Sequence, residues 1–242
     1  MVVLSILKFC PGDSICSTCH ARRSVVVSPV FWHDPVMTQV LQIHPDNPQL
    51  RLIHLAVECI RDGGVIVYPT DSAYALGCAV GNKSGMERVL RIRQVDKMHN
   101  FTLVCRDLSE IATYARVDNS SYRLLKAYTP APYTYILKAT SEVPRLLQHP
   151  KKKTIGIRVP DHPVVAALLA ELNAPIMSSS LIMPGEDEPL SDMEEIETRL
   201  KHHVDIIIDS GFCGREATTV IGLEEGAPEI LRIGKGDPQP FE

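Results

Sequence analysis

Long apolar runs are missing from this chain: nowhere in its 242 residues do the eighteen or so consecutive apolar side chains of a membrane span stand together. The apolar start, Met1 to Phe9, is broken by Lys8 and then by Pro11-Gly12-Asp13, so no membrane partner is expected. Aromatics make up only 5% of residues and do not interleave with basic ones, which excludes a base-stacking platform. An excess of positive charge is also absent. The net charge is −4 and the isoelectric point about 6.1, so any contact with nucleic acid must come from a local patch. The seven cysteines are an odd number, and Cys59, Cys78 and Cys105 lie in apolar runs where a thiol behaves as a small hydrophobe. That usage fits a reducing compartment, and a cytoplasmic location is expected. No second CxxC follows Cys16-Ser17-Thr18-Cys19-His20, so a four-ligand zinc site is not expected and no metal residues are assigned. Internal repeats and low-complexity tracts are lacking too.

What is present is a chain of 45% hydrophobic and 22% charged residues, enough for one substantial core and one α/β domain. The text changes character at Met37. Upstream, residues 1–36 show no helical or alternating period. They read as an extension that is disordered or not part of the native protein, through a wrongly chosen start codon. A mitochondrial leader should be rich in Arg and poor in acids, whereas this stretch sets Lys8, Arg22 and Arg23 against Asp13 and Asp34. The folded unit is expected to span residues 37–242.

From Met37 a short strand leads through Ile43-His44-Pro45-Asp46-Asn47-Pro48 to a helix whose stripe is Leu50, Ile53, Val57 and Ile60, stopped by Gly63-Gly64. Val65-Ile66-Val67-Tyr68 is a β-branched run that should deliver Pro69 to Tyr74 to the sheet edge, where α/β proteins hold ligands. A helix around Met86, Val89 and Leu90 follows, then a strand at Phe101 to Cys105 and a helix opened by Asp107 with Glu110 three residues on. Tyr133 to Ala139, Thr154 to Val159, Ile176 to Ser179, Val204 to Asp209, Thr218 to Leu223 and Ile230 to Ile233 read as strands. Pro163 to Leu172 and Met193 to His202 read as helices. Strands outnumber helices, which argues for a twisted mixed β-sheet with helices packed on it rather than a regular βαβ repeat. The seven acids between Glu186 and Glu197 read as a solvated loop and helix start.

Six segments carry polar residues that a plain core does not require. Tyr68-Pro69-Thr70-Asp71-Ser72-Ala73-Tyr74-Ala75-Leu76-Gly77 resembles a YPTDTxYGLG segment, Arg91-Ile92-Arg93 a KxR signature, and Pro130-Ala131-Pro132-Tyr133-Thr134 a PGPxT turn. Thr154 to Pro160 resembles TxGxRxP, Ser178 to Gly185 resembles STSANxSG, and Ala217 to Ile221 with Arg232 resembles PSTVxD…R. In this order they resemble the YrdC-like L-threonylcarbamoyladenylate synthase family, and the likeness covers nearly everything after Met37. The departures resemble its YciO branch: Arg91 for the lysine of KxR, Ile182 for the asparagine of SxN, Ala131 and Ala75 for glycines, Cys105 for a histidine, and three added residues between Arg93 and Asn100.

The resemblance implies a single YrdC-like domain with an open ligand cleft, and an activity that joins L-threonine, bicarbonate and ATP into threonylcarbamoyl-AMP for tRNA modification. It implies Arg91, Arg93 and Ser180 as catalytic, Thr70, Arg158, Ser178 and Thr218 on the amino acid, and Arg93, Asn100, Thr154, Ser180 and Arg232 on the nucleotide. ATP is then a substrate, with Mg²⁺ carried by its phosphates. The alternative is a nucleotide- or double-stranded-RNA-binding protein that keeps the cleft with weak or no synthase activity. A basic rim of Arg88, Arg91, Arg93, Lys97, Lys151, Lys152 and Lys153 suits RNA and suits an ordinary solvated surface equally well. Read singly, charges on a helix are a solvated face and strand threonines are β-formers. Arg158 differs, because it interrupts an apolar strand and a buried arginine requires a partner.

Overall fold

A computed structural model describes residues 37–96, 99–224 and 227–242. The expected extension, residues 1–36 with its CxxC, and Lys97 of the expected basic rim lie outside the described residues.

The first helix, α1 (Leu50–Arg61), buries Ile53, Ala56, Val57 and Ile60, the stripe that its spacing predicts. Leu50, on the first turn, stays exposed; an apolar stripe gives a direction but not the point where the neighbouring layer ends. Gly63 ends the helix at φ +89°, its N–H reaching the carbonyl of Ile60. Strand β2 (Ile66–Tyr68) and the antiparallel β3 (Ala75–Ala79) follow. Next comes α2 (Lys83–Arg93), capped by the Asn82 side chain, which accepts from Gly85 N–H at 3.0 Å. Asp107 caps α3 (Leu108–Tyr114) as expected, and Glu110 reaches back to the N–H of Arg106.

Eleven strands of the described residues form one mixed sheet. With β1 (Gln39–Gln42), β4 (Thr102–Val104), β6 (Tyr133–Ala139), β7 (Thr154–Arg158), β8 (Ile176–Ser180), β9 (Ile206–Asp209), β10 (Thr219–Gly222) and β11 (Glu229–Arg232), the order is β1-β9-β2-β3-β8-β4-β7-β6-β10-β11. The short β5 (Ala115–Arg116) pairs with the end of β6. Strand β2 is therefore interior, flanked by β9 and β3. The loop 69–74 leaves its C-terminal end and not, as the sequence implied, an edge of the sheet. Six α-helices are described, including α4 (Asn119–Ala127), α5 (Pro163–Leu172) and α6 (Met193–Leu200).

Strand alternation divides the core between two faces. Val67, Leu76, Leu103, Tyr135, Leu137, Ile157, Met177 and Ile207 pack on one side with residues of α2, α3, α4 and α6. Ile66, Val104, Ile176, Ile206 and Ile208 point the other way, under Ile53, Val57 and Ile60 of α1 and Val164, Val165 and Leu168 of α5. Those two helices pack against each other and stop short of β7, β6 and β10, so the remainder of that face is open. Among the described residues, no helix is long and apolar enough to cross a membrane.

Candidate functional site

The open part of the sheet face is a cleft of about 490 Å³, within the range that encloses small ligands. Its floor follows the same alternation: Thr134 and Ile136 from β6, Thr154, Gly156 and Arg158 from β7, and Ser178 and Ser180 from β8 all face it. Thr218 and Val220 close one end, with Arg232 and Leu231 of β11 above them. A Cβ at Gly156 would stand 3.0 Å from Thr102 Oγ1, so glycine here avoids a tight contact and leaves the floor flat.

Arg158 is 5% exposed, and the partner its burial requires is Asp71, in the loop after β2. Its Nη2 donates to the Asp71 carboxylate, to Ser72 Oγ at 3.1 Å and to Thr70 Oγ1 at 3.4 Å. The other Asp71 oxygen accepts from the backbone N–H of Asp161 at 3.0 Å. The Nε of Arg158 is buried and has no partner among the described residues. Thr70 does not line the cleft itself; its hydroxyl closes the loop on the carbonyl of Ala73 at 2.6 Å and touches the cleft through Arg158.

Arg93 enters from the last turn of α2. Its Nη1 donates to Ser179 Oγ at 2.7 Å and to the carbonyl of Ser180, while its Nε is buried without a partner. Burial pulls the Arg93 pKa down. His99 Nε2 lies 3.1 Å from the same Ser179 oxygen, and its ring meets Phe101 edge-on at 5.3 Å. Burial, and then the Arg93 charge, lower the His99 pKa. Arg91, two residues before Arg93, is exposed and outside the cleft, because positions i and i+2 lie on nearly opposite sides of a helix.

Elsewhere Thr134 and Thr218 share a hydroxyl pair at 2.7 Å, and Arg232 Nη2 donates to the Thr218 carbonyl at 2.8 Å. Asn100 is exposed at the cleft mouth, and Ile182 is half-buried on its wall. The described basic residues of the expected rim differ in their surroundings. Arg88 pairs with Asp205 at 2.7 Å beneath α2, Lys152 meets Glu224 at 2.7 Å beside the cleft, and Lys151 and Lys153 are exposed on the neighbouring turn. Cys105, where relatives' histidine was expected, is fully buried, and burial raises its thiol pKa well above the usual value. Sequence reasoning missed Asp71, His99 and Tyr68. The acid was quoted within its motif, but only the fold sets it against Arg158.

A family model named Sua5_yciO_yrdC, described as "Telomere recombination", matches residues 58–234. The chain belongs to the Sua5/YciO/YrdC family. Escherichia coli YciO, an uncharacterized protein, is 56% identical over 205 residues, covering 85% of this chain and all of that one. Its crystal structure superposes with a TM-score of 0.83. A threonylcarbamoyl-AMP synthase of Hydrogenovibrio crunogenus is 34% identical over 152 residues, 61% of this chain and 81% of that protein. The fold is shared further with P. abyssi Sua5 complexed with L-threonine, at TM-score 0.75 and 22% identity, over 81% of this chain and 58% of that one. The family thus includes threonylcarbamoyl-AMP synthases as well as YciO, and all six motifs of this member fall within or beside one cleft.

Proposed function

We propose that this protein binds ATP and an amino acid in the open cleft and joins them, through bicarbonate, into threonylcarbamoyl-AMP or a close analogue. The carrying observation is that Arg93 and Arg158 both line one cleft, each with a buried Nε–H that has no partner among the described residues. Each such donor costs about 1–3 kcal/mol when unpaired, so acceptor groups that a ligand brings to these two guanidinium groups are favoured. An α-amino acid carboxylate and a nucleotide phosphate fit that demand.

The chemistry needs no protein nucleophile. The amine of L-threonine attacks bicarbonate and water leaves, giving a carbamate. A carbamate oxygen then attacks the α-phosphorus, the bond to the β-phosphate oxygen breaks, and pyrophosphate departs. Charge grows on the phosphate oxygens, where Arg93, held by Ser179 and Ser180, supplies fixed positive charge. Arg158 and Ser178 hold the amino acid beside Thr218. Thr154, Ser180, Asn100 and Arg232 line the nucleotide side, and Mg²⁺ enters with the triphosphate as substrate. Arg91 lies outside the cleft and is left out of this assignment.

Pyrophosphate release, measured with each component omitted in turn, tests this reading. Turnover should require ATP, bicarbonate and an amino acid together; release that is indifferent to the amino acid overturns it. Ile182 supports a second reading, a nucleotide-binding protein with little synthesis, since it offers no hydrogen bond on the cleft wall. Ile182→Asn should tighten ATP binding or speed turnover by roughly fivefold to a hundredfold, from ~1–3 kcal/mol. Binding of ATP without turnover in both forms favours the second reading.

A further inference from the structure

Strand β3 carries Ala75, Gly77 and Ala79 on the face shared by the cleft and the α1–α5 layer, a row of small residues between β2 and β8. The ring of Tyr68 lies in the trench they leave. A Cβ on Gly77 would meet Tyr68 Cε1 at 2.8 Å, so glycine is what lets the ring pass over this strand. Beyond it, Gly77 pairs in register with Ser178 of β8, and the phenol oxygen ends 2.6 Å from Ser178 Oγ. Tyr68 thus reaches from the helix-covered part of the sheet to the open part, across one intervening strand.

The direction of this hydrogen bond is fixed by what else is near. Tyr68 is fully buried, burial holds its phenol protonated with a pKa pushed up to about 12, and Ser178 is its hydrogen-bond partner. Were Ser178 the donor, the phenol hydrogen would be left unpaired in the core. The phenol therefore donates, and the Ser178 hydrogen, which no described residue accepts, is left for the cleft that Ser178 lines. The same segment, residues 68–72, also holds Arg158, which lines the cleft with Ser178. Asp71 already offsets the Arg158 charge, so this part of the cleft suits a singly charged carboxylate better than a multiply charged phosphate.

We infer that Tyr68 is a positioning residue that makes Ser178 a committed hydrogen-bond donor to the carboxylate of the bound ligand. This rests on the amino-acid reading of the cleft given above, and the test separates the two. Calorimetry on the full chain would compare L-threonine, L-threoninol (its carboxylate replaced by an alcohol), acetate and ATP as probes, with wild type, Tyr68→Phe, Ser178→Ala and the double variant. Tyr68→Phe should weaken L-threonine about three- to tenfold, the scale of one hydrogen bond, and leave L-threoninol and ATP unchanged. The double variant should be no weaker than Ser178→Ala alone, which a purely structural tyrosine would not produce. If wild type ignores L-threonine yet binds acetate with the same dependence on Tyr68, the amino-acid reading falls and this inference stands. Equal loss for L-threonine and L-threoninol, additive losses in the double variant, unchanged L-threonine affinity in Tyr68→Phe, or no binding of any carboxylate probe to wild type would overturn it.

Discussion

The same face of one sheet is an apolar core at one end and a polar cleft at the other, and strand β8 passes from one to the other. Its Ile176 lies in the core with Val164, Val165 and Leu168 of α5, whereas Ser178 and Ser180, two and four residues on and facing the same way, line the cleft. On β7 and β6, beyond the helices, the positions facing this side are Thr154, Gly156, Arg158, Thr134 and Ile136. Backbone geometry is continuous across the boundary; what changes is whether a helix lies above. Where α1 and α5 cover the strands the sequence is β-branched and aliphatic, and where they do not it turns to Thr, Ser and Arg with buried, unfilled donors.

This division predicts two separable kinds of damage. The largest loss of stability should come at the boundary. Asp71→Ala strands the buried Arg158 guanidinium and should cost about 3–5 kcal/mol in denaturant unfolding. A loss of under about 1 kcal/mol would mean that Arg158 is solvated in the free protein. In the covered half, Leu168→Ala opens a cavity between α5 and the sheet and should cost about 2–5 kcal/mol while leaving ligand affinity unchanged. In the open half the pattern should invert. Arg158→Lys keeps the charge but loses the planar fork, so ligand affinity should fall by about 1–3 kcal/mol with little change in melting temperature. A ligand effect from Leu168→Ala as large as that from Arg158→Lys would break the comparison.

The smallest effect is a pH dependence that touches both halves. His162 caps α5 through Nδ1, which accepts the Val164 N–H at 3.2 Å, and His99 lines the cleft under the opposing charges of Arg93 and Asp96. Burial lowers both pKa values below the free imidazole value. The unfolded chain therefore takes up these protons near pH 6.5, before the folded one does. Their contribution is complete above that pH and is lost as pH falls from there towards each folded value. Urea unfolding at pH 7.5 and 5.5 should show lower stability at the acid end. His99→Gln should remove only the cleft's share; an unchanged slope in that variant would remove His99 from the account.

Much of the covered half was legible in the sequence, because burial under a helix imposes a period. The bounds of α5 and β6 match the apolar runs that announced them, and the caps at Asp107 and Gly63 follow local chemistry. Strand β3 was missed because Ala75-Leu76-Gly77-Cys78-Ala79 is built of small residues, chosen to leave room for Tyr68 and not for β-propensity. Helix α4 was missed too: its Asp118 cap is a clear signal, but only Ser121 and Leu125 are buried, too few to make a stripe. In the cleft, residue types pointed to the right segments, while pairings such as Arg158 with Asp71, 87 positions apart, come from strand order alone. Arg91 and Arg93 were read together as a motif, and the helix turn separates them.

A crystal structure of the protein with L-threonine and a non-hydrolysable ATP analogue tests the central claim most directly. The account predicts both ligands over the uncovered strands: a phosphate oxygen within hydrogen-bond reach of the Arg93 guanidinium and the amino-acid carboxylate within reach of the Arg158 guanidinium. Ligands seated elsewhere on the molecule, with those two guanidinium groups untouched at saturation, would contradict it.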